Sequence, residues 1–567
     1  MNELEWKLPL ITGYLDKWAK ETPDKVAIIQ HEDNRHITYK QLQSLSVFFA
    51  LRLKDIGIQK GDIVVTQLAL FPEHIALMYA CLRIGAIFSP IDLRLKKEEV
   101  RRDLDKTKPK MFFFHGKTPL IDFNEIGEHI RDNCPYIKHL IQVLANPKEE
   151  KPITGAITIQ RMMSKPKLAG LKIKDILTGE LGRITRSLDT RSPAIIIFTT
   201  GTTGTPKPAL MSHENVIIQN EILLMGTEMT KNDRTLVNLP ASHVGCLTEA
   251  LLSTLYGGGT AVLLKVFTVD LSLQAIEKHK VTLLGQIPTQ FRMMWAHPDY
   301  LKYNLSSIRF AIYGGSSVDV EFLNKLSKMA PRFGTGLGMT ETSGFTTFTP
   351  LGIPVEEMAG QVGRYFEHLG KITIRKPMNE DGTAGVELPD GEKGEVCYLP
   401  PVVFMGYYNF PEATKKAIST EGILYSGDIG YFKNMGNYRA LYLAGREKFI
   451  IKQKGFQVFP DEVQAFIAEH PKVEEADVVG VKHTLYDEGI FAFVKPKKDA
   501  DLNAEEIMHH CTNIAAYKRP VHVEIWPPDK PFPLTRSAKT DKLVLKKEAE
   551  LIVEKLRKEG KWDAAAI

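Results

Sequence analysis

Apolar and polar positions in the first 140 residues switch between two periods. From Leu42 to Ile56 the apolar residues fall at helical spacing. GDIVVTQLAL (61–70) is an apolar run entered from a glycine turn, the pattern of a buried strand. EHIALMYACLRIGAIFSPI (73–91) reads as a helix and then another strand. This alternation predicts α/β architecture with mostly parallel strands. Residues 146–192 break the rhythm: NPKEEKP, SKPK and scattered charges predict a surface excursion, and no motif stands in it. From Ala194 to Glu395 the α/β rhythm resumes, with AIIIF, GTAVLL, VTLLGQI and RFAIYGG as strand candidates, each followed by Gly, Pro or Ser and a helical pattern. After Gly394 the chain becomes rich in strands and turns (EVCYLPPVVFMGYYN, YSGDIGYF, YRALYLAG). Near Gly445–Phe449 it changes to a compact α+β pattern with a helix from Asp461, strands at ADVVGVK and IFAFVKP, and a closing amphipathic helix in LVLKKEAELIVEKLRKEGKW. The fold class expected is α/β. Residues 1–445 form a large N-terminal domain of α/β subdomains with parallel-rich sheets plus a β-rich subdomain, and residues 446–567 a small α+β C-terminal domain.

Composition narrows the class. The 567 residues suffice for about three to five structural units at roughly 100–200 residues each. Hydrophobic residues make up 43% and charged ones 25%, as in a globular protein with a large core. Lys+Arg 73 against Asp+Glu 68 leaves +5, a bias too weak in a chain this long to point to nucleic acid or an anionic membrane. Cys81, Cys134, Cys246, Cys397 and Cys511 form no CxxC pair, which argues against a zinc knuckle or disulfide scaffold and for a reducing, cytoplasmic compartment. The N-terminus mixes charges of both signs and lacks the apolar core of a signal peptide. The apolar stretch Ile75–Pro90 is interrupted by Arg83 and too short to span a bilayer.

The strongest chemical signal is AIIIFTTGTTGTPKPALMSHEN (194–215): an apolar strand runs into a loop of two glycines, five threonines and a lysine, then into a helix candidate. Glycines let backbone N–H groups approach a phosphate, threonine hydroxyls add donors, and Lys207 adds charge. The spacing is not that of a Walker loop, and the competing reading is an ordinary Ser/Thr/Gly connection. TTGTTGTPK resembles the phosphate-loop signature of the adenylate-forming superfamily, which includes AMP-forming acyl-CoA synthetases, luciferase and peptide-synthetase adenylation domains. NLPASHVG (238–245), YGGSS (313–317), GLGMTET (336–342), YSGDIGYF (425–432), GREKFIIKQKGFQVFPDEV (445–463) and PLTRSAK (533–539) follow in the family's order, so the resemblance covers nearly the whole chain.

The resemblance implies a two-step reaction. A carboxylate attacks the α-phosphate of ATP to give an acyl-adenylate and pyrophosphate, and the thiol of CoA then displaces AMP. It implies that Gly201, Thr202, Thr203, Gly204, Thr205 and Lys207 hold the β- and γ-phosphates, with Thr199 and Thr200 also at the nucleotide. Gly315, Ser316 and Ser317 would line the adenine pocket together with Gly336, Leu337, Gly338 and Met339, although YGGSS by itself is also a plain glycine turn. Thr340 would touch the α-phosphate and Glu341 would hold Mg²⁺; a Thr-Glu pair is also a common helix start. Asp428 resembles the carboxylate that accepts from both ribose hydroxyls, with an exposed turn aspartate as the competing reading. Arg446 and Gln457 fall at further nucleotide contacts. Lys539 matches the catalytic lysine of the C-terminal domain, which the family uses as a mobile unit; Lys542 stands nearby.

Four positions depart from the family's pattern. Pro208 follows Lys207 in place of glycine, Leu337 stands where an aromatic residue covers the adenine, Phe449 occupies the hinge, and Ala538 precedes Lys539 in place of glycine. None removes a group that the chemistry requires.

His243, Val244, Gly245, Cys246, Gly314 and Gly336 are the acyl-pocket candidates. His243 resembles the gate beside the substrate carboxylate, and a lone histidine packed in an interior turn is its competing reading. HVGCLTEALL lacks the aspartate with which amino-acid-activating members pair the substrate amine, although Glu249 is close by. The expected substrate is therefore a non-amino monocarboxylate, whether fatty, alicyclic or aromatic. CoA is the expected acceptor because no carrier-protein segment follows the C-terminal domain, and Lys454, Gly455 and Phe456 resemble the loop that guides its thiol. Two alternatives stand beside this reading. One is an acyl-AMP ligase that loads a separate carrier protein. The other is a non-catalytic nucleotide-binding protein, which would be expected to have lost Glu341 or Lys539. The partners expected are the acid, ATP and CoA, with no nucleic acid and no integral membrane segment.

Overall fold

The computed structural model describes residues 8–118, 121–199, 206–315, 318–446, 449–453, 456–484, 486–535 and 540–563, with the backbone only at 165, 446, 456 and 457. Two parallel-rich sheets dominate. The first has strand order 406–407, 208–212, 193–198, 87–90, 63–67, 111–115, 139–143, 156–158, parallel throughout except for the two strands at its first edge. The second runs 332–334, 310–313, 283–286, 234–237, 260–263, 26–30, 35–38 and is antiparallel only at its last pair. Parallel strands need crossovers that bury both sheet faces, and the apolar runs Val64, Val65 and Phe112–Phe114 are fully buried accordingly.

Local sequence explains the crossovers. Helix Tyr39–Asp55 starts at a capping box in which Thr38 accepts from the Gln41 N–H while Gln41 accepts from Thr38. Helix Pro72–Ile84 opens on proline and stops at Gly85, whose φ of 73° suits a residue without Cβ. Its Leu77, Met78, Tyr79 and Leu82 are wholly buried, at about 1.5–3 kcal/mol for each large side chain.

The structure differs from the sequence pattern in three places. Residues 146–192 are not merely a surface excursion: Ala156–Thr158 adds an edge strand to the first sheet, and helices Lys165–Thr178 and Glu180–Arg186 pack on the crossover helices. The α/β rhythm ends at Gly334 rather than near 395. Two-residue hairpin strands follow from Gly338, and then an antiparallel sheet with strand order 372–375, 394–398, 424–434, 439–446. Between Phe198 and the helix starting at His213 the chain forms a strand, Pro208–Ser212, that turns back antiparallel on Pro193–Phe198. Pro208 is its first residue, a place where a missing N–H is tolerated. Beyond Arg446 a separate sheet is built from 456–458, 451–453, 487–496 and 473–483, with 522–525 beside 487–496, and helix Lys542–Lys558 covers it. All five cysteines are buried free thiols. Among the described residues no helix is long and apolar enough to cross a membrane.

Candidate active site

Where the two parallel-rich sheets and the antiparallel sheet meet, a cavity of about 720 Å³ opens. Residues far apart in the chain converge on its wall: Thr199 and Lys207, His243 to Gly245, Gly314 and Gly315, Gly338 to Glu341, and Ser426. Leu534, from the segment leading to Lys539, lies on the same wall.

The ends of the threonine-glycine loop are clamped together. The Thr199 N–H donates to the Lys207 carbonyl (2.8 Å), and the Lys207 N–H donates to Thr199 Oγ1 (3.3 Å). Lys106 Nζ donates to the Pro206 carbonyl (2.6 Å) and to buried Asp103 (3.2 Å), so helix Lys97–Thr107 buttresses the loop exit. Thr200 to Thr205 lie outside the described residues, as do Ser316, Ser317, Lys454, Gly455 and Lys539.

Strand Pro208–Ser212 carries the next contact. Gly406–Tyr407 pairs with it antiparallel, Tyr407 opposite Ala209, which sets the Tyr407 ring 5.1 Å from Lys207 Nζ. The Tyr407 hydroxyl donates to Glu341 Oε1 (2.6 Å). Burial and the Glu341 carboxylate push the Tyr407 phenol far above its ordinary range, so it remains a donor. Glu341 is only 7% exposed, and its carbonyl accepts from the Phe404 N–H (2.9 Å). Thr340 and Glu341 sit in a single 3₁₀ turn, and the preceding glycines allow the backbone to pack. A Cβ on Gly338 would collide with the Gly344 carbonyl, and one on Gly336 with the Thr347 carbonyl. Gly336 and Leu337 therefore lie behind the cavity wall, and Leu337 packs in the main core.

The opposite wall is a π-helix, Gly245–Leu252, whose wider turn presents Gly245 and Glu249 to the cavity. Cys246 is turned into the core, so it does not reach the cavity as the sequence reading expected. The Gly245 N–H donates to His243 Nδ1 (3.0 Å), which puts the proton of the neutral ring on Nε2. Glu249 Oε1 accepts from the Phe345 N–H (3.1 Å), tying the π-helix to the hairpin after Glu341. Beside them Leu223, Met229, Leu283, Ile312 and Phe345 make this end of the cavity apolar.

Asp428 is 6% exposed and stands two residues beyond the cavity-lining Ser426. Its N–H donates to Ser426 Oγ (3.0 Å), and buried Glu395 accepts from the Gly427 N–H (2.7 Å), fixing the turn. Asp428 lies opposite Arg446 across strands 424–434 and 439–446. Gln457 and Phe456 lie on the strand Phe456–Val458 of the last sheet. Lys542 faces away from the cavity: its Nζ donates to Asp477 Oδ1 (2.6 Å) and Gln464 Oε1 (3.2 Å) inside the C-terminal layer. Sequence reasoning missed Tyr407, Lys106 and Glu395; the glycine before Tyr407 was the one local sign of a turn there. Among the described residues no three His, Cys, Asp or Glu side chains group as a metal site. A single nearly buried carboxylate, Glu341, nonetheless fits Mg²⁺, which takes one or two carboxylates and draws its other oxygens from phosphates and water.

The motif segments thus converge on one cavity at the edge of a parallel-rich sheet, and family models match both the large N-terminal part and the C-terminal part of the chain. The family model "AMP-binding enzyme" matches residues 15–408, and "AMP-binding enzyme C-terminal domain" matches 462–539. The chain belongs to the AMP-binding enzyme family. It is 27% identical over 507 residues to the feruloyl-CoA synthase of an Amycolatopsis species, covering 89% of this chain and 93% of that one. It is 25% identical over 553 residues to the medium-chain fatty-acid–CoA ligase of Escherichia coli (strain K12), covering 96% and 91%. Among solved structures, the anthranilate CoA ligase AuaEII in complex with anthranoyl-AMP superposes with a TM-score of 0.80 at 21% identity, covering 96% of this chain and 99% of that one.

Proposed function

We propose that this protein is an AMP-forming acid–CoA ligase acting on a non-amino monocarboxylate with an apolar body. The observation that carries this is the convergence on one cavity of the clamped ends of the threonine-glycine loop, the Tyr407–Glu341 pair, His243 and an apolar compartment. In the first step a carboxylate oxygen attacks the α-phosphorus of ATP and the bond to pyrophosphate breaks. In the second the CoA thiolate attacks the acyl carbon and AMP leaves with the bridging oxygen. The chain's part is charge neutralisation and positioning. Lys207 and the loop Thr199–Thr205 hold the β- and γ-phosphates, Gly315 to Ser317 with Gly338 and Met339 border the adenine, Asp428 and Arg446 take the ribose, and Thr340 meets the α-phosphate. Glu341 holds Mg²⁺, which when bound offsets the phosphate charge. His243, oriented by the Gly245 amide, stands beside the substrate carboxyl.

Residues 446–567 act as the mobile unit, which brings Lys539 to the cavity for adenylation and Lys454–Phe456 for thioester formation. The position of Leu534 on the cavity wall supports an arrangement suited to the first step. The names of the relatives support CoA as the acceptor.

Acid-dependent exchange of pyrophosphate into ATP, run across straight-chain, alicyclic, aromatic and amino acids, tests the proposal. It is followed by transfer to CoA or to a phosphopantetheinyl carrier protein. Exchange with non-amino acids and transfer to free CoA are expected. No exchange with any acid would leave a nucleotide-binding protein, and transfer to the carrier alone would move it to the acyl-AMP ligases.

A further inference from the structure

The helix Lys165–Thr178, in the segment that carries no family motif, has two apolar faces. Leu168 and Leu171 turn inward, and the helix packs on Tyr39–Asp55. On the opposite side Ile173, Ile176 and Leu177 are 61%, 71% and 81% exposed. A water-facing stripe of this kind is ordinarily polar, and an exposed apolar cluster marks a contact surface. At 3.6 residues per turn, Lys172 flanks one edge of the stripe, its Nζ 5.5 Å from the Phe48 ring, and Lys174 flanks the other. The three nearby acids are all engaged with the body of the protein, and Asp55 pairs with Lys167 (3.1 Å). Asp175 Oδ1 accepts from the Leu181 N–H (2.8 Å), and Glu180 pairs with Lys54 (2.6 Å). Between Arg161 and Arg186 the sequence holds seven basic and two acidic residues, a balance equal to the +5 of the whole chain. The weak overall charge thus conceals a basic stretch of sequence that includes this helix.

We propose that this helix docks the enzyme on an anionic lipid surface, with Ile173, Ile176 and Leu177 among the acyl chains and the lysines at headgroup phosphates. A second copy of the chain is a poorer occupant: a two-fold contact sets the same face against itself, and lysine edges without outward acids would meet like charge. The two signals, apolar and basic, act together and give reversible, salt-sensitive binding.

Flotation of the full chain with phosphatidylcholine vesicles, with and without about one third phosphatidylglycerol, tests this. The protein is expected to float with the anionic vesicles only, and to be released when salt rises to about 0.5 M, where the screening length falls to a few ångströms. Two exposed-site variants, Ile173→Ser/Ile176→Ser/Leu177→Ser and Lys172→Glu/Lys174→Glu, should each lower vesicle partitioning by roughly tenfold or more with unchanged melting temperature. The proposal is overturned if the wild-type chain stays soluble with every vesicle, or if it binds neutral and anionic vesicles alike. It is also overturned if the chain is a dimer in vesicle-free buffer that the serine variant splits, which would assign the face to a second copy.

Discussion

Tyr407→Phe removes one oxygen from the site and leaves the ring where it is. The lost hydroxyl donates at 2.6 Å to the Glu341 carboxylate, which is 7% exposed and thus poorly served by water. A hydrogen bond to a charged group is worth about 1.5–3 kcal/mol. If the bond holds Glu341 in its working orientation, that range corresponds to a loss of about 10- to 150-fold in the rate of acyl-adenylate formation. The Lys207–ring contact (5.1 Å) survives, because phenylalanine keeps the π face. The assay is pyrophosphate exchange as a function of Mg²⁺. The variant should need more Mg²⁺ for half-maximal rate, and excess Mg²⁺ should recover part of the loss. Because Tyr407 acts through Glu341, the cost of Tyr407→Phe should shrink to near zero in a Glu341→Gln background. Additive losses in the double variant, or an unchanged Mg²⁺ dependence in the single one, would refute the reasoning.

Three further outcomes follow from the same geometry. Lys539→Ala should fail to make acyl-AMP yet convert supplied acyl-AMP and CoA to acyl-CoA near the wild-type rate; loss of both half-reactions in a folded variant would contradict alternation of residues 446–567. Lys542→Ala should instead act on stability, by about 3–5 kcal/mol, because it strands the buried Asp477 carboxylate, and calorimetry would show a lower melting temperature with the ratio of half-reaction rates kept. Burial lowers His74, His115 and His213 to about 4, against about 6.5 unfolded, so between those values the unfolded chain binds more protons. The stability contributed by these neutral rings is complete above pH 6.5 and lost as pH falls toward 4, on the order of 3 kcal/mol per ring, and a urea midpoint equal at pH 7 and 4.5 would contradict it.

Much of this was legible in the chain because parallel strands are buried on both faces and read as short apolar runs such as Phe112–Phe114. The Thr340–Glu341 turn and the two ends of the threonine-glycine loop were legible because each lies in a contiguous motif. Tyr407 was not, since its role depends on the pairing of Gly406–Tyr407 with Pro208–Ser212 across about 200 residues. Cys246 was misplaced for a related reason: spacing alone does not reveal a π-helix, whose extra residue per turn rotates side chains away from their α-helical directions. The choice between Lys539 and Lys542 rested on the motif PLTRSAK, and the Asp477 partner of Lys542 supplies a structural role for the latter. The segment 146–192 looked like surface because its apolar residues are divided between an inner and an outer helix face.

The central claim is that the acid passes through an acyl-adenylate before it meets CoA. An acid carrying ¹⁸O in both carboxyl oxygens, turned over with ATP and CoA, tests this by mass spectrometry of the nucleotide. Attack on the α-phosphorus leaves one labelled oxygen on AMP and one in the acyl-CoA. Label in inorganic phosphate with release of ADP, or AMP free of label, would contradict it.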